Sequence, residues 1–118
     1  MGLLEHFETR LDRLVNGAFA RAFRAEVQPV EIAAALIREM DDRAAVLDRD
    51  RTVVPNHFTI ELSPHDHDRL AGFAQTIAEE LTSVVRLHAG QRDYVLTGSV
   101  VIDLHRDYAL DTGIFRVT

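Results

Sequence analysis

The chain contains no cysteine, which removes disulfide frameworks, thiolate nucleophiles and zinc-thiolate sites together. It contains no lysine either. All 13 basic residues are arginine, a usage we read as genome composition rather than chemistry. No apolar run approaches the roughly 20 residues that span a bilayer, and the N-terminus lacks the charged stretch and continuous apolar stretch of a secretory signal. A soluble domain made in the cytoplasm is expected, without direct membrane insertion. Positive charge is scarce as well: 13 basic residues face 19 acidic ones, a formal net charge of −6. Phosphate contacts need a basic face, so nucleic-acid binding is the alternative reading and not the favoured one. Arg10, Arg13, Arg21 and Arg24 gather near the start, but Glu5, Glu8, Asp12 and Glu26 are interspersed with them. The last strands offer Arg92, Arg106 and Arg116 against Asp93, Asp103, Asp107 and Asp111.

What is present is enough for a core. At 118 residues, 47% of them hydrophobic, a chain of this size buries roughly 65% of its unfolded surface, and one domain over residues 1–118 is expected. Residues 3 to 24 repeat Leu, Phe, Val and Ala at three- and four-residue steps, the period of an amphipathic helix. Asn16-Gly17 costs that helix about 1 kcal/mol without breaking its phase. The polar face carries both signs of charge, so the stripe is read as core cover rather than as a membrane-surface helix. Gln28-Pro29-Val30-Glu31 opens a second helix, with proline at its first position and an acid in its first turn. Ile32, Ala33, Leu36, Ile37 and Met40 are its buried stripe, and Ala44 to Val46 are candidates to prolong it by a turn.

Phe58-Thr59-Ile60-Glu61-Leu62 alternates strictly, as a half-buried strand does. Ser63-Pro64-His65-Asp66 then carries the marks of a helix start: a cap, a proline, and an acid three residues after the cap. A third helix runs to about His88, with Gly72 as a possible break near its start. Tyr94 to Leu96 and Val100 to His105 read as strands on either side of Thr97-Gly98-Ser99. Asp111-Thr112-Gly113 is a turn before a last strand. The expected architecture is α+β, in the order helix, helix, strand, helix, strand, strand. A three-stranded, mostly antiparallel sheet from residues 57–63, 94–105 and 113–118 is packed by three helices.

The densest polar group is His65-Asp66-His67-Asp68. Side chains two apart on a helix point away from each other, so His65 and His67 are not expected to chelate one metal ion. The four residues read instead as a capped first turn with acids near the positive helix end. No serine sits in a Gly-x-Ser-x-Gly elbow, and His88-Ala89-Gly90-Gln91 has too few glycines for a phosphate loop or a KH clamp. No catalytic residue, cofactor site or metal site is assigned. His57 and His105 read as surface residues, and Tyr94 and Tyr108 as half-buried rim tyrosines.

Three stretches together carry a resemblance. They are LVNGAFARAF (14 to 23) followed by EVQPVEIAAALIREMD (26 to 41), DRDRTVVPNHFTIELSPHDHDRL (48 to 70), and the ending LDTGIFRVT (110 to 118). The pattern resembles the N-terminal domain family of actinobacterial FHA-domain proteins (the FhaA N-terminal, or DUF3662, family) over essentially the whole chain. That resemblance implies a longer parent, in which a flexible low-complexity linker leads to a C-terminal forkhead-associated domain that reads phosphothreonine. Thr118 then falls just before the linker. It also implies a cytoplasmic adaptor that works with transmembrane serine/threonine kinases in cell-wall growth and division, recruited to the membrane through its partners. Protein partners, a kinase or its membrane-associated substrates, follow from the same resemblance. The domain's own role is then interaction or regulation, either as a docking module or as a kinase substrate. Among its 11 serines and threonines, those inside strands and helices are poor kinase acceptors. Thr112, in its turn, is the best candidate phospho-acceptor, set against the role of a turn residue bonding its own backbone.

Overall fold

The computed structural model of the chain describes residues 26–118. The helix expected over residues 3 to 24 lies outside them. Helix α1 (Pro29–Asp42) begins as its sequence predicts. Gln28 is extended, and its N–H donates to the Glu31 carboxylate at 3.1 Å. Pro29 occupies a position whose N–H would have no helical partner. The helix buries Ile32, Ala33, Leu36 and Met40, and closes with the Arg43 N–H donating to the Glu39 carbonyl at 3.0 Å.

The chain then departs from the expected extra helical turn. Ala45–Asp48 is strand β1, paired antiparallel with β2 (Arg51–Val54). The cause is the reversal between them. The Asp48 carboxylate accepts the Asp50 N–H at 2.9 Å and Arg51 Nε at 3.0 Å, which fixes a tight hairpin and gives the backbone of residues 45 to 48 a strand partner in place of a helical one.

Strand β3 (His57–Leu62) buries Phe58, Ile60 and Leu62, while His57 is exposed and Thr59 and Glu61 are partly so. Each buried side chain of this size contributes roughly 1.5–3 kcal/mol. Ser63 caps α2 (Pro64–Ala71), its hydroxyl accepting the Asp66 N–H at 3.1 Å. The helix expected over 64 to 88 is in fact two, because Gly72 and Phe73 break it before α3 (Ala74–Gln91). Asp93 takes a left-handed conformation (φ 57°) just after α3, which redirects the chain into β4 (Tyr94–Leu96); strands β5 (Val101–Arg106) and β6 (Phe115–Val117) follow.

The α+β class is as read from the sequence, but among the described residues the strands form two three-stranded sheets rather than one. Their orders are β1-β2-β4 and β5-β3-β6. Each sheet has one antiparallel and one parallel ladder: β2 runs parallel to β4, and β3 parallel to β5. Parallel neighbours need a long crossover, and α2 and α3 supply it. The division falls where two chain passages lie side by side. β2 leads into β3 through Pro55-Asn56, and β4 leads into β5 through residues 97–100. Asn56 clamps them together. Its Nδ2 donates to the Ser99 carbonyl at 2.8 Å, its Oδ1 accepts the Thr97 hydroxyl at 2.8 Å, and its carbonyl accepts the Val101 N–H at 2.8 Å. α1 packs on α3, and α3 on β4 and β5, around a core that includes Phe58, Leu70, Ile77 and Leu81.

Candidate functional site

The turn that carries Thr112 joins the β5–β6 loop to the last strand. Ile114 N–H donates to the Asp111 carbonyl at 2.9 Å, and Gly113 has φ 90°. These are the marks of a type II turn with Thr112 at its second position and glycine where a positive φ is required. Thr112 is exposed. Gly113 N–H points inward and donates to Asp66 Oδ2 at 2.8 Å. After the turn, β6 runs antiparallel to β3, and Thr118 exchanges two backbone hydrogen bonds of 2.9 Å with Thr59.

Beneath the turn is a buried charged cluster. Asp66 is fully enclosed, and the side chains of Glu26 and Arg69 are only 3% and 5% exposed. Asp66 Oδ1 accepts the Val27 N–H at 3.2 Å and lies 3.3 Å from Arg69 Nη2. Asp66 Oδ2 accepts the Ser63 hydroxyl at 3.1 Å as well as the Gly113 N–H. Arg69 Nε lies 3.3 Å from Glu26 Oε1, and its Nη2 also donates to the Val27 carbonyl. His65, half exposed, pairs with Glu26 from the solvent side. Buried carboxylates persist only when paired and hydrogen-bonded; here two acids share one guanidinium, while Glu26 Oε1 and Arg69 Nε meet only as an ion pair and Arg69 Nη1 has no hydrogen-bond partner among the described residues.

A second, exposed cluster flanks α2. Arg106 pairs with Asp68 and donates from Nη1 to the Tyr108 hydroxyl at 3.1 Å, with its guanidinium carbon 5.9 Å from the centre of the Tyr108 ring. Desolvation pushes the Asp68 carboxyl up, but the hydrogen bonds from Arg106 and His67 outweigh it and hold the group below its ordinary range. The bonds to Tyr108 and Asp68 raise Arg106 further.

The structure sends the His65–Asp68 run in three directions and keeps only His67 and Asp68 together. His65 turns to Glu26, Asp66 inward, Asp68 to Arg106, and His67 lies 3.5 Å from Asp68. Among the described residues, no group of three His, Asp or Glu side chains has metal-holding geometry. His57 pairs with Asp103 at 2.8 Å on the exposed face of the β3–β5 ladder, and His105 is exposed beside it. Tyr94 is half-buried and donates to Asp41 at 2.7 Å, whereas Tyr108 is 77% exposed rather than half-buried. The outward face of the second sheet is mixed in charge, since Arg116 is tied to Glu61 at 3.0 Å and His57 to Asp103. No helix among the described residues is long and apolar enough to cross a membrane.

Two arrangements are not legible in the sequence. One is the burial of Glu26, Asp66 and Arg69. The capping pattern locates Asp66 at the start of α2, but nothing local says that its carboxylate faces inward. The other joins the ends of α1 and α3 to β4: His88 Nε2 lies 2.9 Å from Asp41 Oδ1, which also accepts the Tyr94 hydroxyl. Desolvation raises the Asp41 carboxyl, but the bonds from His88 and Tyr94 prevail and lower it. The bond to Asp41 is the main reason that the Tyr94 hydroxyl is raised.

The comparisons with known proteins agree with this architecture. The family model "FhaA, N-terminal domain" matches residues 4–118. The chain is 32% identical over 122 aligned residues to the FHA domain-containing protein FhaA of Mycobacterium tuberculosis (strain ATCC 25618 / H37Rv). The alignment covers 97% of this chain and 22% of that protein, so the chain spans about a fifth of its relative's length. The solved Rv0020c N-terminal structure superimposes with a TM-score of 0.73 at 29% identity, over 85% of this chain and 76% of the other.

Proposed function

This chain belongs to the FhaA N-terminal domain family, and we propose that it is a non-catalytic regulatory and protein-interaction domain of an FHA-domain signalling protein. The observation that carries the reading is the family match over residues 4–118, to a domain that its curated relative carries as a fraction of a longer FHA-domain protein. In this reading residues 1–118 form one domain, followed in the parent by a linker and a phosphothreonine-reading domain. Its partners are proteins: a serine/threonine kinase or that kinase's membrane-associated substrates, met in the cytoplasm during cell-wall growth and division.

Thr112 is the proposed phospho-acceptor. It is exposed in a turn, whereas the hydroxyl of Thr97 is committed to Asn56 and that of Thr82 to the Ala78 carbonyl. In the transfer, the γ-phosphoryl of a nucleoside triphosphate passes to the Thr112 oxygen. The hydroxyl proton goes to a base of the kinase, and the nucleoside diphosphate leaves. The product adds about −1.5 to −2 charge beside Asp111. The test is incubation with the cytoplasmic domain of the kinase from the same cell, read by intact mass. Wild type is expected to gain one phosphoryl group that Thr112→Ala does not. Equal phosphorylation of the two proteins overturns the assignment of Thr112.

A further inference from the structure

The carboxylate beneath the Thr112 turn holds a second piece of backbone, far away in sequence. Asp66 Oδ2 accepts the Gly113 N–H at 2.8 Å, and Asp66 Oδ1 accepts the Val27 N–H at 3.2 Å. Val27 is fully buried and directly precedes the Gln28 cap of α1, so this bond fixes the approach to α1. The same place is held by Arg69, through the Val27 carbonyl and Glu26. A carboxylate is planar and rigid. Its two oxygens cannot answer separately to a displaced donor, and any rotation that follows Gly113 moves Oδ1 relative to Val27 and Arg69.

We propose that Asp66 is a positioning residue that couples the Thr112 turn to the Glu26–Val27 lead-in, so that phosphorylation of the turn loosens the hold on Glu26 and Val27. The proposal rests on the reading of Thr112 as an acceptor. Thr112 and Gly113 share a peptide bond, which places a phosphoryl group on Thr112 within a few bond lengths of the Gly113 N–H. The added anion repels the Asp66 carboxylate and offers the Gly113 N–H a competing acceptor. Asp66 then keeps Arg69, its charged partner, and settles toward it. Among the neutral donors to Asp66 the Val27 N–H is the longest, at 3.2 Å against 3.1 Å for the Ser63 hydroxyl and 2.8 Å for the Gly113 N–H, and is the one released. The two sites and the element between them are thereby specified, as coupling between sites requires.

The experiment measures backbone amide hydrogen exchange by NMR in the full chain, with phosphothreonine installed at position 112 during translation so that no kinase is needed. Unmodified Gly113→Ala, which strains the positive-φ position without adding charge, is measured alongside. Both proteins are expected to exchange the Val27 amide at least about tenfold faster than wild type, the scale of one hydrogen bond to a charged group, while Phe58 and Ile60 in β3 keep their wild-type rates. Phosphothreonine at Thr97, whose turn is anchored on Asn56 instead, is expected to leave Val27 unchanged. If Ile114 in the turn exchanges faster but Val27 does not, the coupling is overturned. It is equally overturned if Val27, Phe58 and Ile60 rise together, because that reports general loosening. If the installed phosphothreonine speeds Val27 but no kinase modifies Thr112, the link through Asp66 stands and the acceptor reading falls.

Discussion

Asp66 and Arg69 form an ion pair one helical turn apart, 3.3 Å between Oδ1 and Nη2, with both side chains buried. On an exposed helix face such a pair contributes a few tenths of a kcal/mol. Here its significance lies in what remains if one partner is removed. Asp66→Ala leaves Arg69 buried with only Glu26 to balance it, and leaves the N–H groups of Val27 and Gly113 without an acceptor. Breaking a buried pair costs about 3–5 kcal/mol. Urea unfolding is expected to show a loss of that size for Asp66→Ala. A loss below about 1 kcal/mol, the ceiling for exposed pairs, shows that the cluster is solvated.

The Asp41, His88 and Tyr94 cluster predicts a specific acid sensitivity. The folded-state Asp41 carboxyl is lowered, so its contribution is present above the ordinary carboxylate range and is lost as pH falls through the folded value. Asp41→Asn should therefore flatten the decline in stability on the acid side of about pH 4. Urea midpoints measured between pH 2 and pH 7 for wild type and Asp41→Asn check this. Parallel curves across that range count against it.

The hydroxyl of Tyr94 can be tested separately. Tyr94→Phe removes one hydrogen bond to a carboxylate that keeps His88, and should cost about 1.5–3 kcal/mol or less. His88→Ala should cost more, because His88 is itself buried and its removal also opens space near the end of α3. Ranking the two by chemical denaturation decides whether packing or hydrogen bonding dominates there.

At the passage between the sheets, Asn56→Ala removes two side-chain hydrogen bonds at once and should cost about 1–3 kcal/mol. Gly98→Ala places a Cβ 3.1 Å from Asn56 Nδ2, so the amide must give by a few tenths of an ångström. A smaller loss is expected, and the double variant should be less than additive because the clash disappears with the amide. Additive losses contradict the clamp.

Much of the architecture is legible locally. The alternation of residues 58–62, the proline and glutamate at the start of α1 and the serine cap of α2 are each set by neighbours within four positions, and each appears where its pattern predicts. The departures arise where distant partners decide. Ala45 to Asp48 have no strong strand pattern of their own and become a strand because Asp48 closes a hairpin onto β2. Residues 94–105 read as one interrupted strand region, and only Asn56, about forty positions earlier, shows that the interruption is a passage from one sheet to another. For the candidate site, the exposure of Thr112 and its turn follow from Asp111-Thr112-Gly113. The carboxylate beneath the turn does not, since the orientation of Asp66 is set by Val27 and Gly113, which approach it from opposite ends of the chain.

The two sheets also differ in when they can exist. During synthesis the first sheet has all three of its strands once Leu96 has left the ribosome, whereas β3 must wait for β5 and then for residues 115–118 before both its edges are paired. Until then the most deeply buried of the described strands has exposed edges, the condition under which nascent chains aggregate. The turn at Thr112 and its anchor on Asp66 form in that same step, so the candidate regulatory surface is acquired only when β6 pairs with β3.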